Sequence, residues 1–433
     1  MTILIRAGFS AVDITPPADA HIPGGFRPVP AQGVHDPLEV TAAVIADDDM
    51  AVALVGVDAV SLKTEDVLEA RALAEESSGV PAGNILVAAS HVHSGGPAND
   101  VLGTDSDSHY RAHIVQQIAN AVTEAHARLV PASIGWASGA AEGLAWNRRW
   151  VMRDGSHQTH ADPDDPDVME SAGPEDPEAL LLAARSLDGE ILGFIGNFTC
   201  HPTVMGGPNF SAGYPGAWRR ALRTLTGGEM VFLNGAMGDI TQVNKRLDLP
   251  QKGEEGVLRI SRALAGESLK LLADMRWHDD LPLAVATEVL DMPFRVPSAN
   301  QLEADRTLLA ENPWPGDYAR DVVFARERIL LAEYIDQVGA ARCEVKCLRI
   351  GDLAIASSPG QMFCEFGLAT KACSPFDATM FVSLASGNIG YVPTAEAIER
   401  GGYEPTLCRG SRSVPEAGEM IVEASMRLLK SLA

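Results

Sequence analysis

Short apolar runs alternate along this chain with stretches of helical spacing, and that alternation limits what it can fold into. MAVALVGVDAV (residues 50–60) is rich in Val and bounded by acidic residues, the pattern of a strand buried on both faces. TEDVLEARALAEE (64–76) then carries apolar residues at helical spacing, ILVAAS (85–90) is the next strand, and residues 110–129 form a long amphipathic helix. Further strands are expected at 192–200, 230–235, 353–360 and 380–386, and further helices at 254–275, 300–311, 322–338 and 415–432. The opening MTILIRAGFSAVDITPP reads as a strand leading into a turn. This order predicts an α/β fold in layers, with a mixed, largely parallel sheet or sheets and flanking helices. One large domain spanning residues 1–433 with loop insertions is expected, since no internal repeat and no clear linker interrupts it.

One segment breaks the rhythm. Residues 153–178 (RDGSHQTHADPDDPDVMESAGPEDPE) are acidic, rich in Pro and Gly and nearly free of apolar residues, so an exposed loop or lid is expected there. WPGDY (314–318) reads as a turn within a helical insertion.

Bulk properties exclude several function classes. The formal charge of −24 and the lack of a Lys/Arg cluster argue against nucleic-acid partners. No apolar run of about 18 residues occurs, so no transmembrane segment is expected. The N-terminus lacks a basic start followed by an apolar stretch, so a secretory signal is not expected. Cys200, Cys343, Cys347, Cys364, Cys373 and Cys408 form no CxxC pair and read as reduced thiols of a cytoplasmic protein. Oligomeric state is left open, a homo-oligomer included.

The polar residues gather where the strands stop. ILVAAS runs into His91-Val92-His93, LGFIGNFTC into His201-Pro202-Thr203, and MVFLNGAM into Gly238-Asp239-Ile240-Thr241. LAIASSPG runs into Gln361 and then Glu365, and MFVSLASGNIG into Tyr391. Active sites of α/β sheets lie outside the carboxyl ends of the strands, so these five ends predict one shared site. Each piece has a plainer reading. His91 and His93 are a metal or catalytic pair, or loop histidines bonded to carbonyls. His201, held extended by Pro202, is otherwise a satisfied core histidine. Asp239 either caps a turn or points into the site with Thr241. Arg148 or Arg149 binds a carboxylate or oxyanion, or the two form a surface pair. Tyr391 and Tyr403 are otherwise packing tyrosines. His157 and His160 are expected to be solvated, His109 and His113 to lie on a helix surface, and Asp36 to support His35 or only a turn.

Several motifs in order resemble the neutral, non-lysosomal ceramidase family: AGFSAVDITPP, HDPL, ASHVHSGGP, NRR, NFTCHPT, NGAMGDIT, SPGQMFCEFGL and GYVPTAEAIERGGYE. The resemblance covers nearly the whole chain and implies the catalytic domain alone, without the family's C-terminal β-sandwich. It implies a zinc-dependent amidohydrolase of lipid metabolism that cleaves an amide in an N-acyl or related small substrate through metal-activated water. His91, His201 and Tyr391 match metal ligands, and Gln361 stands where the family has a ligating glutamate. His93 matches a histidine working beside the metal, and Arg148 and Tyr403 match residues that touch the amide or its tetrahedral intermediate. Thr241, after Asp239, replaces the serine of the family's GDVSPN. Other readings are a metal-poor binding protein on the same fold, or an esterase or lactamase of the same family.

Overall fold

Both faces of most strands are buried, and the period-two alternation of a strand sorts their side chains between separate cores. Along Glu178–Ser186, Leu180, Leu182 and Ala184 enter one apolar cluster while Ala179, Leu181 and Ala183 enter another. Along Glu39–Ala46, Ala43 and Ile45 join the first of these, and Val40, Ala42 and Val44 a third. The structure, a computed structural model, describes residues 5–17, 19–316 and 318–433. Residues 1–4 of the expected first strand and Asp317 of the expected WPGDY turn lie outside the described residues.

Among the described residues the larger sheet has eight strands. Their order is Glu229–Asn234, Ile191–Phe198, Glu178–Ser186, Val130–Ala140, Arg6–Asp13, Glu39–Ala46, Ala51–Val57 and Ile85–Ala89. The smaller sheet runs Leu283–Met292, Ala341–Ile350, Leu353–Ser357 and Ala378–Val382. Leu348, Ile350, Leu353, Ile355, Met380 and Val382 of the smaller sheet pack face to face against the larger one in the shared cluster. Helices Thr64–Ser78 and Ser108–Ala127 cover one part of the larger sheet's outer face, and Gly213–Thr226 and Gly253–Ala273 the other. Helices Cys364–Ala372 and Ala417–Leu432 cover the smaller sheet. The layers are therefore helix, sheet, sheet, helix.

The sheets are mixed and layered as the sequence predicts, but they are not largely parallel. Among the described strands of these two sheets, three neighbouring pairs run parallel: Ala51–Val57 with Ile85–Ala89, Ile191–Phe198 with Glu229–Asn234, and Leu353–Ser357 with Ala378–Val382. The remaining pairings of the two sheets are antiparallel. The reason lies in strands joined without a helix. Glu39–Ala46, Glu178–Ser186, Leu283–Met292 and Ala341–Ile350 escape a reading that looks for a helix after each strand. Gly351-Asp352 links Ala341–Ile350 to Leu353–Ser357, with Gly351 at φ +65°, a two-residue hairpin signal.

Two insertions flank the site. Helices Ala299–Glu311 and Arg320–Val338 form a hairpin between Leu283–Met292 and Ala341–Ile350. The acidic segment 153–178 is more ordered than a loop: His157–Thr159 and Val168–Ser171 flank Arg149–Met152 in a small sheet. His157 is accordingly buried, not solvated, with Nδ1 3.2 Å from a guanidinium nitrogen of Arg149. All six cysteines are unpaired. No helix among the described residues is long and apolar enough to cross a membrane.

Leu182 is fully buried between the two sheets. Leu182→Ala is expected to cost about 2–5 kcal/mol through lost burial and an unfilled cavity. Guanidinium unfolding of the variant against the parent chain measures it.

Candidate metal centre

Strand ends are held together by one side chain before they deliver the histidines. Asn234, fully buried at the end of its strand, donates from Nδ2 to the carbonyls of Ser90 and Cys200, both at 3.1 Å. Its own carbonyl accepts from Ser383 N at 3.0 Å. Ser90, Cys200 and Ser383 each follow a strand, so one asparagine ties four strand ends, including one from the second sheet. The next residues after Ser90 and Cys200 are His91 and His201.

The chain bends at His91 itself, which takes φ 69°, and not at the glycines that follow. His91 N donates to Ala59 O at 2.9 Å, and its Nδ1 lies 2.5 Å from Val60 O. Thus the residues just after the parallel neighbour strand Ala51–Val57 fix both backbone and ring. His201 Nδ1 lies 3.1 Å from Met237 O, and His93 Nδ1 lies 2.8 Å from Gly24 O. A carbonyl oxygen only accepts, so all three Nδ1 atoms carry hydrogen and all three Nε2 atoms present lone pairs.

Those lone pairs face one another. His91 Nε2 lies 3.0 Å from His201 Nε2 and 3.2 Å from His93 Nε2, and the three ligand atoms lie within 4.8 Å of one another. Acceptor against acceptor is unfavourable unless something positive sits between. A proton fits poorly, because burial pushes His91 and His201 well below the ordinary imidazole value and His93 down to about 4. A divalent cation fits well. Imidazole nitrogens each about 2.0–2.1 Å from zinc stand roughly 3.3 Å apart in a tetrahedral shell.

Tyr391 and Gln361 border the same cavity as His91 and His93. The Tyr391 ring stacks on His201 with centroids 6.4 Å apart and planes 8° from parallel. Strand Gly360–Met362 runs parallel to Gly390–Val392 and sets Gln361 opposite Tyr391. Gln361 Oε1 is buried without a hydrogen-bond partner, an orphaned oxygen suited to a cation. Glu365, the other carboxyl candidate, is exposed on helix Cys364–Ala372. Burial raises the Tyr391 phenol while Arg148 draws it down, leaving it above its ordinary value.

Arg148 donates to Tyr391 Oη at 3.0 Å, to Gly238 O at 2.7 Å and to Glu404 Oε1 at 2.7 Å. Glu404 is fully buried and takes Arg149 and Thr159 on its other oxygen, at 2.6 and 2.7 Å. Burial alone would raise the Glu404 carboxyl, but the two guanidiniums hold it below the usual range. Burial opposes the charge of Arg148, and the Tyr391 and Glu404 oxygens outweigh it. Tyr403 packs edge-on against Tyr391, Phe26 and Phe324, and walls off the cavity of about 410 Å3 from a more open pocket of about 590 Å3 that Arg148 lines.

Asp239 and Thr241 are buried but do not line the cavity. Asp239 accepts from Cys364 N at 2.8 Å and Asn147 Nδ2 at 2.7 Å, and burial pushes its carboxyl up to about 6. The Thr241 hydroxyl accepts from Val243 N. Their loop contributes carbonyls instead: Met237 O to His201 and Gly238 O to Arg148. Gly238 packs so closely on Gln361 and Met362 that an added Cβ would stand 2.6 Å from Gln361 O. Asp36 bonds Ser211, Ala212 and Arg220 beside His35, and so anchors helix Gly213–Thr226 without touching the three imidazoles. His109 and His113 are exposed on their helix. Asn234 and Glu404 are the site residues that sequence reading missed. Their partners lie far away in the chain, Arg148 being 256 residues from Glu404.

No protein-family model matches the chain, and no curated protein matches it. Solved structures do. The neutral ceramidase from Pseudomonas aeruginosa superposes with a TM-score of 0.76 at 18% identity, over 100% of this chain and 75% of that one. A ceramidase complexed with C2 superposes with a TM-score of 0.74 at 17% identity, over 99% of this chain and 75% of that one. The chain has the neutral ceramidase fold.

Glu404→Gln leaves two buried guanidiniums short of their shared carboxylate. It is expected to destabilise the protein by about 3–5 kcal/mol. Glu365→Gln, at an exposed position, is expected to leave the unfolding midpoint unchanged in the same measurement.

Proposed function

We propose that this protein is a metal-dependent hydrolase, with zinc as the metal, that cleaves an amide bond in an N-acyl or related small substrate. One observation carries the reading: three imidazoles, each locked by a carbonyl on Nδ1, turn their Nε2 lone pairs onto a single point beside a cavity. The shared fold with a neutral ceramidase supports the amide class. His91 and His201, the two most buried imidazoles, would hold the ion, with the Tyr391 hydroxyl and Gln361 Oε1 beside them. A bound zinc supplies Lewis acidity and lowers the pKa of a coordinated water to about 7.

The chain's own groups then have separate tasks. His93 is neutral at pH 7 and opens on the cavity, so its Nε2 can take a proton from water attacking at that point. Arg148, braced by Glu404 and Gly238, keeps its guanidinium beside Tyr391, where an oxyanion would be stabilised. Tyr403 lines the cavity on the side of the more open pocket. Asp239 and Thr241 act by positioning the loop that supplies the Met237 and Gly238 carbonyls. Gln361 contributes an oxygen dipole without charge, so the centre holds its metal less tightly than a carboxylate-bearing one.

Metal analysis and an N-acyl substrate screen test this together. His91→Ala and His201→Ala are expected to lose stoichiometric zinc and all hydrolysis. His93→Ala is expected to keep the metal and to lose hydrolysis by about 10²–10⁴-fold, the usual contribution of a proton acceptor. Stoichiometric zinc in His91→Ala overturns the ligand assignment. Gln361→Glu is expected to slow zinc loss to a chelator, measured by competition with a chromophoric chelator.

A further inference from the structure

The cavity beside the three histidines is lined by equal numbers of basic and acidic side chains, and all but one of them form ion pairs. Lys63 pairs with Asp100 at 2.9 Å, and Arg409 takes Glu327 with two bonds of 2.7 and 2.9 Å. Arg412 has no such partner. No carboxylate among the described residues forms an ion pair with it, and its guanidinium donates only to backbone carbonyls, of Arg409 and of Asn388, the latter at 3.0 Å. Its Nε is buried and makes no hydrogen bond. A guanidinium has five N–H donors, so most of this fork is uncommitted. Burial holds Arg412 below its ordinary value, outweighing the opposing pull of Tyr334, Cys408 and Glu327.

Contrast within the same fold sharpens the point. Arg295 also lacks a carboxylate, yet it is saturated by the carbonyls of Ser413, Pro405 and Ser411 and by the Ser411 hydroxyl. The other buried guanidiniums, Arg71, Arg148, Arg149 and Arg219, all have carboxylates. Among the described residues, Arg412 alone combines a place on the cavity wall with an orphaned donor and no ion-paired carboxylate. It is also tied to the metal centre. Gly410 O accepts from Tyr391 N at 2.8 Å, so the segment bearing Arg412 is bonded to the strand bearing Tyr391. Asn388, which anchors Arg412, donates to Ser61 on the same wall at 3.1 Å, and Asn99 donates to Ser61 at 2.9 Å.

We infer that the substrate of this site carries a carboxylate, which Arg412 binds through its free donors while the amide lies at the histidines. This rests on the hydrolase reading above and names its substrate class: small amides bearing a carboxylate, of the N-acyl amino acid kind. Planar carboxylate and planar fork match in geometry. The protein's overall charge of −24 does not prevent it, because screening leaves local charge in control over about 8–10 Å. The acidic stretch of the 153–178 insertion faces elsewhere, since none of its residues lines this cavity. A cavity of about 410 Å3 suits such a molecule.

The test uses the zinc-loaded full chain. N-acetyl amino acids, monoamides of succinic acid, and the methyl esters of both are assayed for amide cleavage. The first and second place the carboxylate on the amine and acyl side respectively. The parent protein is expected to prefer one of the two acids over its neutral ester by tenfold to a hundredfold in kcat/KM, the worth of a charged hydrogen-bonded pair. Arg412→Met is expected to bring that ratio to near one, chiefly through KM, and Arg412→Lys to keep part of it. Zinc content checks that each variant is folded. Equal cleavage of acid and ester by the parent overturns the inference, as does a ratio unchanged in Arg412→Met. Should no amide be cleaved, the hydrolase reading fails by itself. Calorimetry with N-acetylglycine then decides: binding lost in Arg412→Met supports the carboxylate site, whereas no binding to the parent, or equal binding to both, ends it.

Discussion

Three nitrogen lone pairs aimed at one another are what the rest of this structure serves. Neutral imidazoles do not gather in that way unaided, because each Nε2 repels the next. The fold overcomes this with three carbonyls, from Val60, Met237 and Gly24, each taking one Nδ1–H. The tautomer is thereby fixed, and burial keeps the rings unprotonated. Such an arrangement could hold a cation at its focus.

Rigidity at that focus comes from strand ends. Asn234 joins the residues just before His91 and His201 and binds the second sheet through Ser383. A two-sheet sandwich would let the sheets slide were the ends untied. Asn197 adds a second clamp, donating to Leu233 O and, across the sheets, to Phe381 O. On the opposite side Glu404 fixes Arg148 and Arg149, which carries Tyr391 into the same assembly. Buried polar groups with every partner present cost little and allow one geometry only.

Residues at four of the five strand ends that the sequence marked, His91, His201, Gln361 and Tyr391, lie together, while Asp239 and Thr241 of the fifth do not reach the cavity; apolar runs stopping at His, Gln or Tyr are a local signal. His91, His201 and Tyr391 were legible in that way, and so were most helices, whose apolar spacing is also local. Parallel against antiparallel pairing was not legible. It depends on hairpins such as the one closed by Gly351-Asp352, which two residues determine and a survey of long runs passes over. Glu404 and Asn234 were illegible for a different reason. A buried carboxylate between two arginines, and an amide between two carbonyls, take their meaning from partners that only the folded chain brings near. Asp239 shows the converse. Its position in NGAMGDIT suggested chemistry, and in the fold it bonds a backbone N–H and an amide.

Charge accounting links the metal centre to the cavity wall. The histidines are neutral, Gln361 is neutral, and burial holds the Tyr391 phenol above its ordinary value. Arg148 and Arg149 share one carboxylate, and Arg412 has none. On the proposed reading, a divalent ion bound here would add positive charge beside a Gln361 amide that supplies none to offset it. In a site with a ligating glutamate, part of that balance is built into the protein. Here Gln361 lacks that charge, and on the proposed reading part of the balance would come with the ligand. The orphaned oxygen at Gln361 and the orphaned donor at Arg412 would then be two consequences of one design, in which the chain supplies a cradle for the cation and the substrate supplies the anion.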